Sequence, residues 1–174
     1  RRADARVGAP VLRHVTVVGT GLIGASAALA AKRAGAEVCG WDPDPETLRI
    51  AHEREAVAPA SSLAEAVAGA DLVLVAAPVA ELPHVVREVL ALADEGCAVT
   101  DVGSTKSAVC AAVEGDVRFI GGHPICGAET RGPERANAEL FEGATWFLTP
   151  TAGTGPELLR DLPTITHFVA GLEI

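Results

Sequence analysis

The chain has 174 residues, 49% of them hydrophobic and 21% charged. That is the length of one full domain with at most a fragment of a second, and a composition that excludes a disordered chain. A net charge of −9, only 3% aromatics and no Tyr exclude a nucleic-acid or anionic-membrane partner and a base-stacking platform. Residues 1–13 read as a flexible leader: Arg1 and Arg2 suggest a targeting peptide, but no apolar segment follows them directly. His14 to Gly19 is a short β-branched run ending in glycine, a buried strand, and Leu22 to Ala34 is an alanine-rich helix closed by Gly35. The apolar stretch Leu22 to Ala31 is broken by Gly24 and Ser26 and is too short to cross a bilayer. Ala36 to Trp41 is the second strand, and Pro45 to Glu55 a helix with Asp44 as its N-cap. A weak third strand falls around Val57-Ala58, and Ser61 or Ser62 caps a short helix that ends at Gly69.

Asp71 to Ala76 is the clearest strand of the chain and stops at Ala77-Pro78; a helix follows over Glu81 to Leu92. Ala98 to Asp101 is a strand, Lys106 to Val113 a helix, and Val117 to Ile120 a strand leading to His123. A helix over Glu134 to Leu140 and a strand over Thr145 to Leu148 complete the domain. Apolar strands alternating with helices imply a doubly wound α/β fold with a mostly parallel sheet covered on both faces.

Gly19-Thr20-Gly21-Leu22-Ile23-Gly24 fits G-x-G-x-x-G between a strand and a helix, the setting in which the motif binds a dinucleotide rather than forming a plain turn. Gly19 makes the turn, Gly21 admits the pyrophosphate, Gly24 allows close helix–strand packing, and Leu22 and Ile23 open the helix whose amides face the phosphates. Asp42, at the end of the second strand, is placed to accept hydrogen bonds from the adenosine ribose; it can also form a turn before Pro43. The surrounding Trp41-Asp42-Pro43-Asp44-Pro45 has no cation for a 2′-phosphate, so NAD is expected rather than NADP. No G-K-[ST] follows the glycines, which excludes a P-loop. In this fold, known as the Rossmann fold, ligands lie at the carboxyl ends of the strands. Ala76 to Val79 (with Ala77 and Pro78 as cofactor contacts), Asp101 to Lys106 and Gly121 to Pro124 are therefore expected to converge on the nicotinamide.

His123 stands between glycines and a proline. A lone His is usually bonded to backbone, but this setting favours a proton acceptor. Ser104 reads as the N-cap of the helix beginning near Lys106, or as a hydrogen-bond partner shared by His123 and a substrate hydroxyl. Lys106 reads as a surface cation or as a ligand for a carboxylate or phosphate, and Asp101 as structural or as orienting a neighbour. Cys39, Cys97, Cys110 and Cys126 form no CxxC pair and read as reduced thiols of a cytoplasmic protein with no metal site.

The motifs Val17 to Gly24, Asp101-Val-Gly-Ser-Thr-Lys106, Gly121-Gly-His-Pro-Ile-Cys-Gly-Ala-Glu129, Gly132-Pro133 and Leu140 to Pro150, taken together, resemble the prephenate/arogenate dehydrogenase family of tyrosine biosynthesis. The resemblance implies that 14–150 is an NAD-binding domain and that the enzyme oxidatively decarboxylates prephenate to hydroxyphenylpyruvate or arogenate to tyrosine. It matches His123 to the family's catalytic histidine, Ser104 to its active-site serine and Glu129 to an acid near the substrate. Cys126 stands where the family usually has Ala, and Ala128 where it has Thr. His123 would accept the ring-hydroxyl proton as hydride leaves for NAD. The family continues into a C-terminal helical domain that builds a homodimer and supplies a substrate-binding arginine. Here 151–174 offers only a short helix over Glu157 to Leu162 and a strand over Thr166 to Ala170, and nothing makes Arg131 or Arg135 a substitute for that arginine. Without that domain the chain is expected to bind NAD better than it turns over substrate. No Met occurs anywhere, which reads as a processed, engineered or incompletely recorded chain. The alternatives are another Rossmann-type NAD-dependent dehydrogenase, which leaves the histidine segment unexplained, and an NAD-binding module without turnover, which leaves Ser104 and His123 without a role.

Overall fold

A computed structural model describes residues 12–126, 131–156 and 158. The strands are β1 (His14–Val18), β2 (Glu37–Trp41), β3 (Ala58–Pro59), β4 (Leu72–Val75), β5 (Ala98–Asp101), β6 (Phe119–Ile125) and β7 (Thr145–Pro150). The helices are α1 (Leu22–Arg33), α2 (Pro45–Glu53), α3 (Leu63–Val67), α4 (Leu82–Leu92) and α5 (Ser107–Ala112). One sheet runs in the order β3-β2-β1-β4-β5-β6-β7. Every pair is parallel except β6 and β7, which are antiparallel. The order reverses between β1 and β4, the switch point at which this doubly wound Rossmann-like fold opens a crevice.

Alternation along each strand builds two cores. On β4, Leu72 and Leu74 join the cluster formed with α1 and α2, while Val73 and Val75 join the one formed with α3, α4 and α5. Alanines along α1 bring that helix close to the sheet, and Ala25, Ala28 and Ala31 are almost fully buried. Local chemistry fixes the helix starts. The Asp44 carboxylate accepts the Glu46 and Thr47 amides ahead of Pro45, and the Ser62 hydroxyl accepts the Glu65 amide. At the far end of α4, the Arg118 guanidinium donates to the Leu90 and Ala93 carbonyls, closing groups the helix leaves open.

Three expectations are corrected. The helix over Glu134–Leu140 is a single 3₁₀ turn at Pro133–Arg135 followed by loop. Its backbone groups are taken by other partners: Ala136 O accepts Arg54, the Asn137 amide donates to Ser26 Oγ, and Asn137 Oδ1 accepts the Glu139 amide. The strand expected to stop at Ile120 continues to Ile125, because β7 pairs with it from Ile120↔Pro150 to Ile125↔Thr145. The leader also ends earlier than expected. Leu12 is buried in the core, and the Arg13 amide donates to Asp71 Oδ2 at 2.8 Å. Residues 1–11, Glu129 and the strand at Thr166–Ala170 lie outside the described residues, as does the short helix at Glu157–Leu162 apart from Leu158, which packs in the core. No described helix is long and apolar enough to cross a membrane.

Candidate active site

A cleft of about 900 Å³ opens at the carboxyl ends of β1, β2, β4 and β5. One wall is the turn between β1 and α1, with Gly19, Gly21, Leu22, Ile23 and Gly24. Gly19 has φ +90°, and a Cβ there would lie 2.6 Å from the Ala76 carbonyl oxygen. A Cβ on Gly24 would lie 1.9 Å from the Gly19 carbonyl oxygen and 3.0 Å from Val17 Cγ1, so helix, turn and strand close on one another there. Gly21 is different: a Cβ on it would meet no atom within 4 Å, and it borders the cleft. Gly21 is also the N-cap of α1, whose first-turn amides point out of the helix without a side-chain cap. This is a cradle for an anionic group: donors, a positive helix end and no Cβ in the way.

Asp42 and Trp41 form the second wall, after β2. Asp42 Oδ2 accepts the Thr20 amide at 2.6 Å, and Oδ1 accepts the Asp44 amide at 2.9 Å. The carboxylate thus latches the glycine-rich turn to the end of β2 while bordering the cleft. No cation stands beside it on this wall, where the lining residues are Trp41, Asp42, Pro43 and Thr47. Ala76, Ala77, Pro78 and Val79 line the floor after β4, with Glu81 and, on α4, His84, Val85 and Glu88 beyond them. The residues fit a dinucleotide: an anion cradle, an acid at the end of β2, and an apolar floor between them.

The loop after β5 brings Val102, Gly103 and Ser104 to the cleft. Ser104 is exposed and does not cap α5; Lys106 takes the N-cap position without a side-chain cap bond. Gly121 to Pro124 do not line the cleft as expected. They lie within β6, and Cys126, Arg131 and Gly132 beyond it form that wall. His123 is half-buried, pairs across the ladder with Phe147, and shares its face of the sheet with exposed Ile125 and Phe147. Among the described residues no hydrogen bond joins His123 to Ser104. Burial pushes the Cys126 thiol up from its ordinary range. No described group of three or more His, Cys, Asp or Glu could hold a metal ion.

Lys106 departs from the surface position expected of it. Its side chain is only 14% exposed, and it pairs with the fully buried Asp101 instead of facing solvent or a ligand. The signal was present: Asp101 and Lys106 lie five residues apart across Gly103, with two glycines before His123. Only the tertiary pairing of β5 with β6 shows that Gly121 makes room for the Lys106 side chain and Gly122 for the end of β5.

The family model described as the nucleotide-binding domain of prephenate dehydrogenase matches residues 27–171. The chain belongs to this family. The match begins after the glycine-rich turn, so the reading of that turn rests on its own geometry. The prephenate dehydrogenase of Lactococcus lactis is 31% identical over 159 residues, covering 87% of this chain and 45% of that protein. Synechocystis arogenate dehydrogenase superposes with a TM-score of 0.80 at 31% identity, covering 90% of this chain and 57% of the other. The prephenate dehydrogenase of A. aeolicus, crystallised with hydroxyphenyl propionate and NAD+, superposes with a TM-score of 0.84 at 28% identity, covering 94% and 59%. The chain thus spans about half the length of the curated prephenate dehydrogenases it matches, 45% of the Lactococcus lactis and Bacillus subtilis proteins.

Proposed function

We propose that this chain is the NAD-binding part of an enzyme that oxidatively decarboxylates a cyclohexadienyl substrate, prephenate or arogenate. The observation that carries the reading is the combination of membership in the prephenate dehydrogenase family with a cleft whose phosphate cradle and Asp42 suit NAD. Gly19, Gly21 and Gly24, with the first turn of α1 at Leu22 and Ile23, hold the pyrophosphate; Asp42 accepts the ribose hydroxyls; Ala77 and Pro78 border the nicotinamide. NAD bound there supplies the hydride acceptor. His123, as neutral imidazole, accepts the proton of the ring hydroxyl, and the Ser104 hydroxyl hydrogen-bonds the same oxygen. The ring carboxylate leaves as carbon dioxide and the ring becomes aromatic, so the driving force lies in the substrate and the chain's task is alignment. Glu129 contacts the substrate near its entrance. A homodimer and the remaining substrate contacts are supplied by chain beyond this domain.

The test is direct. The complete gene product is mixed with NAD and either prephenate or arogenate, and NADH absorbance is followed. Absorbance growth with one of the two supports the reading and sets the preference. No growth with either substrate, in a protein that binds NAD, overturns it in favour of a binding module.

A further inference from the structure

One buried carboxylate ties together the two segments that carry Ser104 and His123. Asp101 ends β5 and is fully buried. Its Oδ2 accepts the Gly103 amide at 2.8 Å, and its Oδ1 accepts the Gly122 amide at 3.2 Å. Gly103 immediately precedes Ser104, and Gly122 immediately precedes His123. Lys106 Nζ pairs with Asp101 Oδ2 and also donates to the Gly122 carbonyl at 2.7 Å. Both backbone polar groups of Gly122 therefore end on the ion pair.

The main-chain register between β5 and β6 stops at Thr100↔Ile120. Beyond that point β6 is paired on its other edge with β7, through His123↔Phe147. The ion pair takes over the β5 side where the ladder ends. The glycines around it let the strand, the loop and the Lys106 stem close on one another. A Cβ on Gly121 would lie 2.8 Å from Lys106 Cδ, and one on Gly122 would lie 2.4 Å from the Asp101 carbonyl oxygen. One on Gly103 would lie 2.3 Å from Leu82 Cδ1. A buried ion pair is a weak source of net stability, because desolvation cancels much of its attraction. Its directed hydrogen bonds do fix the relative position of the segments it joins.

We infer that the Asp101–Lys106 pair is a positioning device that sets the Ser104 loop and His123 relative to each other. The inference rests on the reading of His123 as base and Ser104 as its partner. Lys106 is engaged by this pair and the Gly122 carbonyl, and it is not among the residues that line the cleft.

The test compares Lys106→Met, the double variant Asp101→Asn/Lys106→Met and His123→Asn in the complete gene product. NAD affinity, kcat, KM and Tm are measured for each. Lys106→Met leaves a lone buried carboxylate, so Tm falls, and kcat falls on the order of 10²-fold while NAD affinity is kept. The double variant removes the lone charge, so Tm returns toward wild type, but kcat stays low because the segments are no longer aligned. Recovery of kcat along with Tm overturns the inference, as does an undiminished kcat in Lys106→Met. If neither variant folds, the pair belongs to domain stability and the positioning role fails. His123→Asn separates the two ideas. If it retains turnover, the reading of His123 is wrong; if it loses turnover while Lys106→Met keeps kcat, only the positioning role falls.

Discussion

The three glycines of the turn between β1 and α1 are expected to fail in different ways, and Gly21 and Gly24 make the sharpest contrast. Gly21 has φ −64° and ψ −167°, which any residue adopts, and a Cβ there meets nothing within 4 Å. Gly21→Ala should therefore leave the fold intact and stabilise it by about 0.4–1 kcal/mol through the unfolded chain, raising Tm by roughly 1–4 °C. The same methyl occupies the space in front of the α1 amides, and NAD affinity should fall at least tenfold, about 1.4 kcal/mol. Gly24→Ala acts on the protein itself. Its Cβ would stand 1.9 Å from a backbone oxygen where ordinary contact begins near 3.4 Å, so 3.4 − 1.9 = 1.5 Å must be found by moving helix against strand. Overpacking of that kind costs about 1–3 kcal/mol or more, a Tm lower by roughly 2–12 °C. Thermal unfolding and NAD titration of both variants check the contrast. A Gly21→Ala variant with wild-type NAD affinity would refute the reasoning, since the dinucleotide would then lie elsewhere.

The latch at Asp42 should show in cofactor choice. Asp42→Ala removes the acceptor of the Thr20 amide and is expected to weaken NAD by roughly tenfold or more and to raise NADP affinity relative to NAD; an unchanged ratio in parallel titrations counts against the role. Burial holds the Cys97 thiol up, from 9.0 to about 11. Its folded pKa is raised, so the stability it contributes is fully present below pH 9.0 and is lost as pH rises to about 11. Cys97→Ala should flatten the alkaline fall of Tm in that window, and a fall of wild-type steepness argues against the cause. Phe141 is fully buried and packs on Trp146 with ring centroids 5.4 Å apart. Phe141→Ala should cost about 3–5 kcal/mol in a denaturant titration, and a loss below about 1 kcal/mol would mean the site collapses freely.

Legibility followed sequence distance. The β1–α1 turn, the Asp44 and Ser62 caps and the run at β4 are local, and their residues announce them. The helix expected at Glu134–Leu140 has the right composition, but Ser26 and Arg54 claim its backbone groups from far along the chain. The extension of β6 to Ile125 depends on β7, which no local pattern around His123 reports. Asp101 and Lys106 stand five residues apart, but a pair formed across the end of β5 has no sequence period to announce it. Of the glycines before His123, Gly121 makes room for the Lys106 side chain and Gly122 for the backbone at the end of β5. The wall after β6 shifted from His123 to Cys126 for the same reason: the strand carries the chain farther before it turns.

The most direct measurement of the central claim is the turnover of His123→Asn in the complete gene product, with NADH absorbance followed on the preferred cyclohexadienyl substrate and NAD affinity measured alongside. The expected result is turnover at background with NAD affinity equal to wild type, since the amide keeps the size of the side chain but cannot take the proton. Wild-type turnover in that variant would contradict the assignment of His123 as the base.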